Sequence, residues 1–159
     1  MMQEPMPRGG APVGFLRELP ETEAAAVCFL RLWCESDDTQ RQAVRDLNDL
    51  LGAAHGSVAV ESLRQICDLF RKFARRPVMR HHSGCSCLGA DEACFANLIA
   101  EAAIGNREDA MLFSMLLVRA DFAPVLAGLA EQFGVALSLL NKQAAPPLMA
   151  VRPQGATVH

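Results

Sequence analysis

The chain has no tyrosine and a single tryptophan, Trp33, so its core must be mostly aliphatic. It also lacks a strong charge of either sign. A formal net charge of −3 excludes a global field that would draw the protein onto nucleic acid or an anionic membrane. Residues Met1 to Gly14 lack the apolar core of a signal peptide and carry proline and glycine instead. Later apolar segments are broken by Arg119, Asp121 and Glu131, short of the roughly twenty residues a spanning helix needs. These absences predict a cytoplasmic protein with no membrane partner.

Enzyme signatures are missing too. The sequence contains no glycine-rich phosphate loop, no nucleophile elbow and no histidine pair at helical spacing around a glutamate. No internal repeat and no convincing strand pairing can be read from it.

What is present is helical periodicity. With 159 residues, 51 % of them hydrophobic, the chain suits one domain with a sizeable core. Proline and glycine up to about Leu19 predict a flexible N-terminal arm over 1–19. A single helical domain is expected over 20–143, and a proline-bearing, disordered tail over 144–159.

Within the domain, Val27, Leu30 and Cys34 repeat at helical spacing, flanked by Phe29 and Trp33. Ser36-Asp37-Asp38 supplies a break and an N-cap for a second helix burying Val44, Leu47 and Leu51. The turn at Gly52–Gly56 precedes a third helix carrying Leu63, Ile66, Phe70 and Phe73, stopped by Pro77. A fourth helix starts near Ala90 or Asp91 and ends at Gly105. Asn106 with Asp109 opens a fifth, and Asp121 with Pro124 opens a sixth, which Gly134 could divide. The predicted class is all-α: a compact bundle of about five to six helices with flexible N- and C-terminal tails.

The residues 111–118 are apolar almost all round, with Ser114 as the exception. Such a helix is either enclosed at the centre of the fold or the seam of a homodimer.

The chemistry concentrates in one loop, over 78–94. His81, His82, Cys85, Cys87 and Cys94 stand together there, and imidazole nitrogen and thiolate sulfur are the preferred ligands of zinc and similar transition metals. Six cysteines in a reducing compartment are expected reduced, buried or metal-bound rather than paired as disulfides. Cys85 and Cys87 are too close in sequence to bridge each other without strain. A first-turn position predicts a lowered thiol pKa for Cys94. Three thiolates with His81 or His82 would complete a tetrahedral zinc site; both histidines with two thiolates is the other set. Iron or an iron–sulfur cluster is the alternative cofactor, although such clusters usually take four cysteines. Asp91 and Glu92 are outer candidates, as oxygen ligands or as partners that orient an imidazole. Cys28, Cys34 and Cys67 read as small core hydrophobes.

Upstream, Arg71, Lys72, Arg75, Arg76 and Arg80 form a basic approach. They could hold a protein or nucleic-acid partner, or simply offset the dipole at a helix end. Three functions fit this pattern. A non-catalytic, structural or regulatory metal-binding protein ranks first, and a thiol-based or metal-responsive regulator binding DNA or a protein through 71–80 second. A metal-dependent enzyme ranks last, for want of a second catalytic constellation.

Overall fold

Ser36 is the hinge between the first two helices of the computed structural model, which describes residues 8–144. Helix α1 (Glu21–Glu35) begins with Glu21 and Glu23 in its first turn, where the macrodipole favours acid. Ser36 is extended at φ −160°, and its Oγ accepts the Thr39 amide at 3.1 Å to cap α2 (Asp37–Phe73). Inside α2, Gly52 takes φ +78° and ψ 166°, a conformation open to glycine and costly to other residues. The expected second and third helices are therefore the two halves of α2, kinked where the glycine turn was expected.

Helix α3 (Ala90–Ala103) and α4 (Arg107–Leu117) are joined through Gly105, φ +82°. Asn106 caps α4 as its spacing to Asp109 predicts: its Oδ1 accepts the Asp109 amide at 3.4 Å and its Nδ2 donates to Asp109 Oδ2 at 2.8 Å. The last helix, α5 (Ala123–Ala144), packs most extensively on α2 and α3. It runs unbroken through Gly134, where a β-carbon would lie 2.8 Å from the Ile99 carbonyl oxygen. That glycine lets two helix backbones approach; it does not divide the helix.

One core joins all five helices. Leu47, Leu63, Ile66, Phe95, Leu98, Leu126, Phe133 and Leu137 are fully enclosed in it, each contributing about 1.5–3 kcal/mol of burial. Phe70 meets Phe95 edge to face at 5.9 Å. By length and composition alone α5 could cross a membrane, but Leu126, Ala130, Phe133 and Leu137 are buried in the bundle. Helix α4 is not enclosed: Ala110, Ser114 and Leu117 face inward, while Leu112 and Leu116 are more than half exposed.

The all-α class holds, with one addition that the sequence did not predict. Strand β1 (Pro12–Phe15) pairs antiparallel with β2 (Cys87–Gly89), in the register Pro12↔Gly89, Gly14↔Leu88 and Phe15↔Cys87. Strands this short show no readable alternation. Single 3-10 turns at Arg8–Gly10 and Leu16–Glu18 flank β1, and Leu16 and Leu19 pack on a small second core of Val27, Leu88 and Ala96. So the part of the expected arm from residue 8 to 19 is ordered against the loop that carries the candidate ligands. Residues 1–7 and most of the expected tail lie outside the described residues.

Candidate functional site

The loop between α2 and α3 is organised by a buried charge on α1. Arg31 lies on the inner face of α1 and is fully buried. Its guanidinium meets the carboxylate of Glu92, likewise fully buried, through Nε–Oε1 and Nη2–Oε2 contacts of 2.8 Å each. The remaining donors reach the loop backbone: Nη1 donates to the Cys85 carbonyl and Nη2 to the Cys87 carbonyl, both at 2.6 Å. Glu92 in turn accepts the amides of His81 at 2.8 Å and Gly89 at 3.0 Å. Burial pushes the Glu92 carboxyl up, but the bonds from Arg31, Gly89 and His81 together outweigh it and leave it below the usual range. The bond from Glu92 holds Arg31 above its ordinary value against the opposing effect of burial.

Asp91, the next carboxylate along, does the same for the start of the loop. It accepts both terminal nitrogens of Arg76, at 2.8 and 2.6 Å, and the Met79 amide at 2.8 Å. On the outer side Glu35 accepts the amide of Ser83 at 2.9 Å and its hydroxyl at 2.7 Å. These bonds hold the Glu35 carboxyl down. The arm completes the frame. Gly9 lies so close to the Arg76–Asp91 pair that a β-carbon there would overlap both side chains, and Gly10 presents its carbonyl to His81.

Within this frame the sequence-predicted ligands separate. His81 Nε2 is 3.0 Å from the Gly10 carbonyl oxygen. A carbonyl can only accept, so the neutral ring carries its hydrogen on Nε2 and leaves a lone pair on Nδ1. That Nδ1 is 3.7 Å from Cys85 Sγ. Cys87 adjoins Cys85: partial burial raises its thiol pKa first, the contact with Cys85 adds to this, and Arg31 opposes both. His82 is exposed and turned toward Gly84 and the Glu35 side of the loop.

Cys94 is not brought to this group. Its Sγ lies 3.8 Å from the Phe113 carbonyl oxygen, against the main core. Burial, reinforced by the charge of Asp91 and partly offset by Arg76, pushes its thiol up to about 11. The expectation of a thiolate at a helix start is thus corrected: position along the helix was read properly, but the face was not. Among the described residues, no set of three or more His, Cys, Asp or Glu side chains is already arranged to hold a metal ion.

The basic approach is only partly free. Arg71 pairs with Asp68 at 2.9 Å and Arg76 with Asp91. Arg75 donates to the Val118 carbonyl at 3.2 Å and Arg80 to the Cys34 carbonyl at 2.8 Å. Two residues read as core hydrophobes meet instead: Cys34 and Cys67 have their sulfurs 3.8 Å apart. The signal for Arg31 was present in the sequence, as one charge in an apolar helical stretch, but its partner is 61 residues away.

In comparisons with known proteins, no family model, no curated protein and no solved structure matches this chain.

Proposed function

We propose that this protein is a non-catalytic transition-metal-binding protein in which the metal, zinc or a similar ion, has a regulatory role. Its ligands are His81 Nδ1, Cys85 and Cys87, with a fourth position filled by solvent or a partner. One observation carries the reading: His81 is held by the Gly10 carbonyl so that its free nitrogen faces the Cys85 thiol. Metal-binding histidines characteristically donate their other ring N–H to such a partner, which fixes tautomer and orientation before the ion arrives. Cys87 completes the set by a side-chain rotation, while Cys94 and His82 stay outside it.

A regulatory role is favoured over a structural one because the loop is already anchored. Arg31, Asp91, Glu92 and Glu35 supply the ties that a structural ion would otherwise have to provide. The basic segment 71–80 runs directly into His81, so a change at the metal reaches the surface offered to a protein or nucleic-acid partner. The metal reading is tested by titrating cobalt(II) into reduced, metal-free protein and following thiolate-to-metal charge transfer. Cys85→Ser/Cys87→Ser should abolish the band and Cys94→Ser should leave it. An unchanged band in the double variant would sink the assignment. The regulatory role further requires metal-free protein to keep its helicity and cooperative unfolding; loss of both on chelation would mean a structural site.

A further inference from the structure

Beside that loop, α1 and α2 bring a second pair of thiols into the lining of a cleft of about 780 Å³, a size usual for small-molecule sites. Trp33, Phe70, Arg75 and Arg80 line it together with Cys34 and Cys67. Arg64 and Arg71 also border it, but their charges are matched by Glu61 and Asp68. Arg75 and Arg80 have no carboxylate partner among the described residues and only backbone carbonyls to donate to. The cleft thus combines two guanidinium groups outside any direct ion pair, aromatic surface and a close thiol pair, with Glu35 near enough to Arg80 to feel its charge.

We propose that Cys34 and Cys67 form a redox-active dithiol that exchanges with an anionic low-molecular-weight disulfide of the glutathione type, bound in this arginine-lined cleft. The sulfurs are 3.8 Å apart, so the pair must close to about 2.05 Å to bond. The two thiols are also unequal. The contact with Cys67 lowers Cys34 to about 7 against the effect of burial, with the charge of Arg80 assisting. The contact with Cys34 and then burial push Cys67 well above its ordinary value. Arg80 also caps the Cys34 carbonyl, setting a positive charge at a helix end whose dipole would otherwise oppose a thiolate. With Arg80 held against its carbonyl, Cys34 is assigned as the attacking sulfur and Cys67 as the resolving one.

In the first step the Cys34 thiolate attacks one sulfur of the bound disulfide. A mixed disulfide forms, the S–S bond of the small molecule breaks, and the leaving thiolate takes up a proton. In the second step Cys67, losing its proton, attacks the Cys34 sulfur and expels the other half as thiolate, which is protonated in turn. The protein loses two electrons and two protons to form the Cys34–Cys67 bond, and the small disulfide gains them as two thiols. Carboxylates on the small molecule would meet Arg75 and Arg80.

The test uses reduced full-length protein and glutathione disulfide, with free thiols blocked after timed incubation and the products mapped by peptide mass spectrometry. Wild type should yield a Cys34–Cys67 disulfide. Cys67→Ser should trap glutathione on Cys34, and Cys34→Ser should leave Cys67 unmodified. Arg75→Gln/Arg80→Gln, its fold checked by circular dichroism, should slow the reaction with glutathione disulfide about tenfold or more through lost steering. Its reaction with cationic cystamine should not be slowed. Cys34 and Cys67 remaining reduced, or no adduct on Cys34 in Cys67→Ser, would overturn the dithiol. Equal slowing with both disulfides would overturn the anionic ligand. Cys85 and Cys87 are mapped separately, so either result stands apart from the metal titration.

Discussion

Replacing Glu92 with glutamine is the most direct challenge to the frame described here, because it changes one atom in a fully buried site. The carboxylate accepts four hydrogen bonds, two from Arg31 and one each from the His81 and Gly89 amides, at 2.8–3.0 Å. Glutamine keeps one accepting oxygen and turns the other position into a donor, which then faces donors. Arg31 remains charged and buried, with the Cys85 and Cys87 carbonyls and one neutral amide oxygen as acceptors but no opposite charge. Removing one partner of a buried ion pair costs about 3–5 kcal/mol. For a chain of this size, that lowers Tm by roughly 6–20 °C.

Urea unfolding should show a lower midpoint at unchanged slope, and limited proteolysis should open the 78–89 segment first. The pH dependence has a definite sign. The folded-state pKa of Glu92 is depressed below the ordinary value of 4.5. Its contribution is therefore fully present above that value and is lost as pH falls through the folded-state pKa. The unfolding midpoint of Glu92→Gln should accordingly vary less with pH below 4.5 than that of wild type. A loss of stability under about 1 kcal/mol at neutral pH, the range of an exposed pair, would refute the placement of this pair at the centre of the loop's architecture.

Two further outcomes are expected. Gly9→Ala forces a β-carbon into the Arg76–Asp91 pair, so the arm should lift from the loop at a cost of about 1–3 kcal/mol; faster proteolysis before Leu19, with the helical core still protected, is the readout. Leu112 and Leu116 lie one turn apart on the exposed face of α4, and if a second copy covers them, Leu112→Gln/Leu116→Gln should yield monomer in analytical ultracentrifugation without loss of thermal stability.

Helix limits were legible because the residues that set them act locally. Ser36 caps within three residues, Asn106 likewise, and Gly52 and Gly105 bend the chain by their own backbone freedom. The facing of side chains was not legible by the same means. Cys94 sits where a helix start would favour a thiolate, yet its sulfur points to the Phe113 carbonyl in the core. Desolvation there raises the thiol's pKa. Cys34 and Cys67 are 33 residues apart on different helices, and nothing in their apolar surroundings distinguishes a meeting pair from two isolated core thiols. The strands escaped because the pairing of Pro12–Phe15 with Cys87–Gly89 is set by the partner loop, not by an alternating pattern of its own.

The cluster of histidine and cysteine was visible from composition, but what surrounds it bears on the role proposed for it. A chain that needed a metal to close this loop would have little else holding it. Here a buried Arg31–Glu92 pair reaches Cys85, Cys87, Gly89 and His81 at once. Such a pair contributes little net stability compared with an apolar replacement, but it specifies one backbone path, and here its donors and acceptors fall on the residues flanking the ligands. The backbone of His81 is fixed by Glu92 and its ring by Gly10, whereas Cys85 and Cys87 are only partly buried and not disulfide-bonded. For the metal site proposed above, that division would let occupancy change in the folded protein, because losing an ion would leave the backbone ties in place.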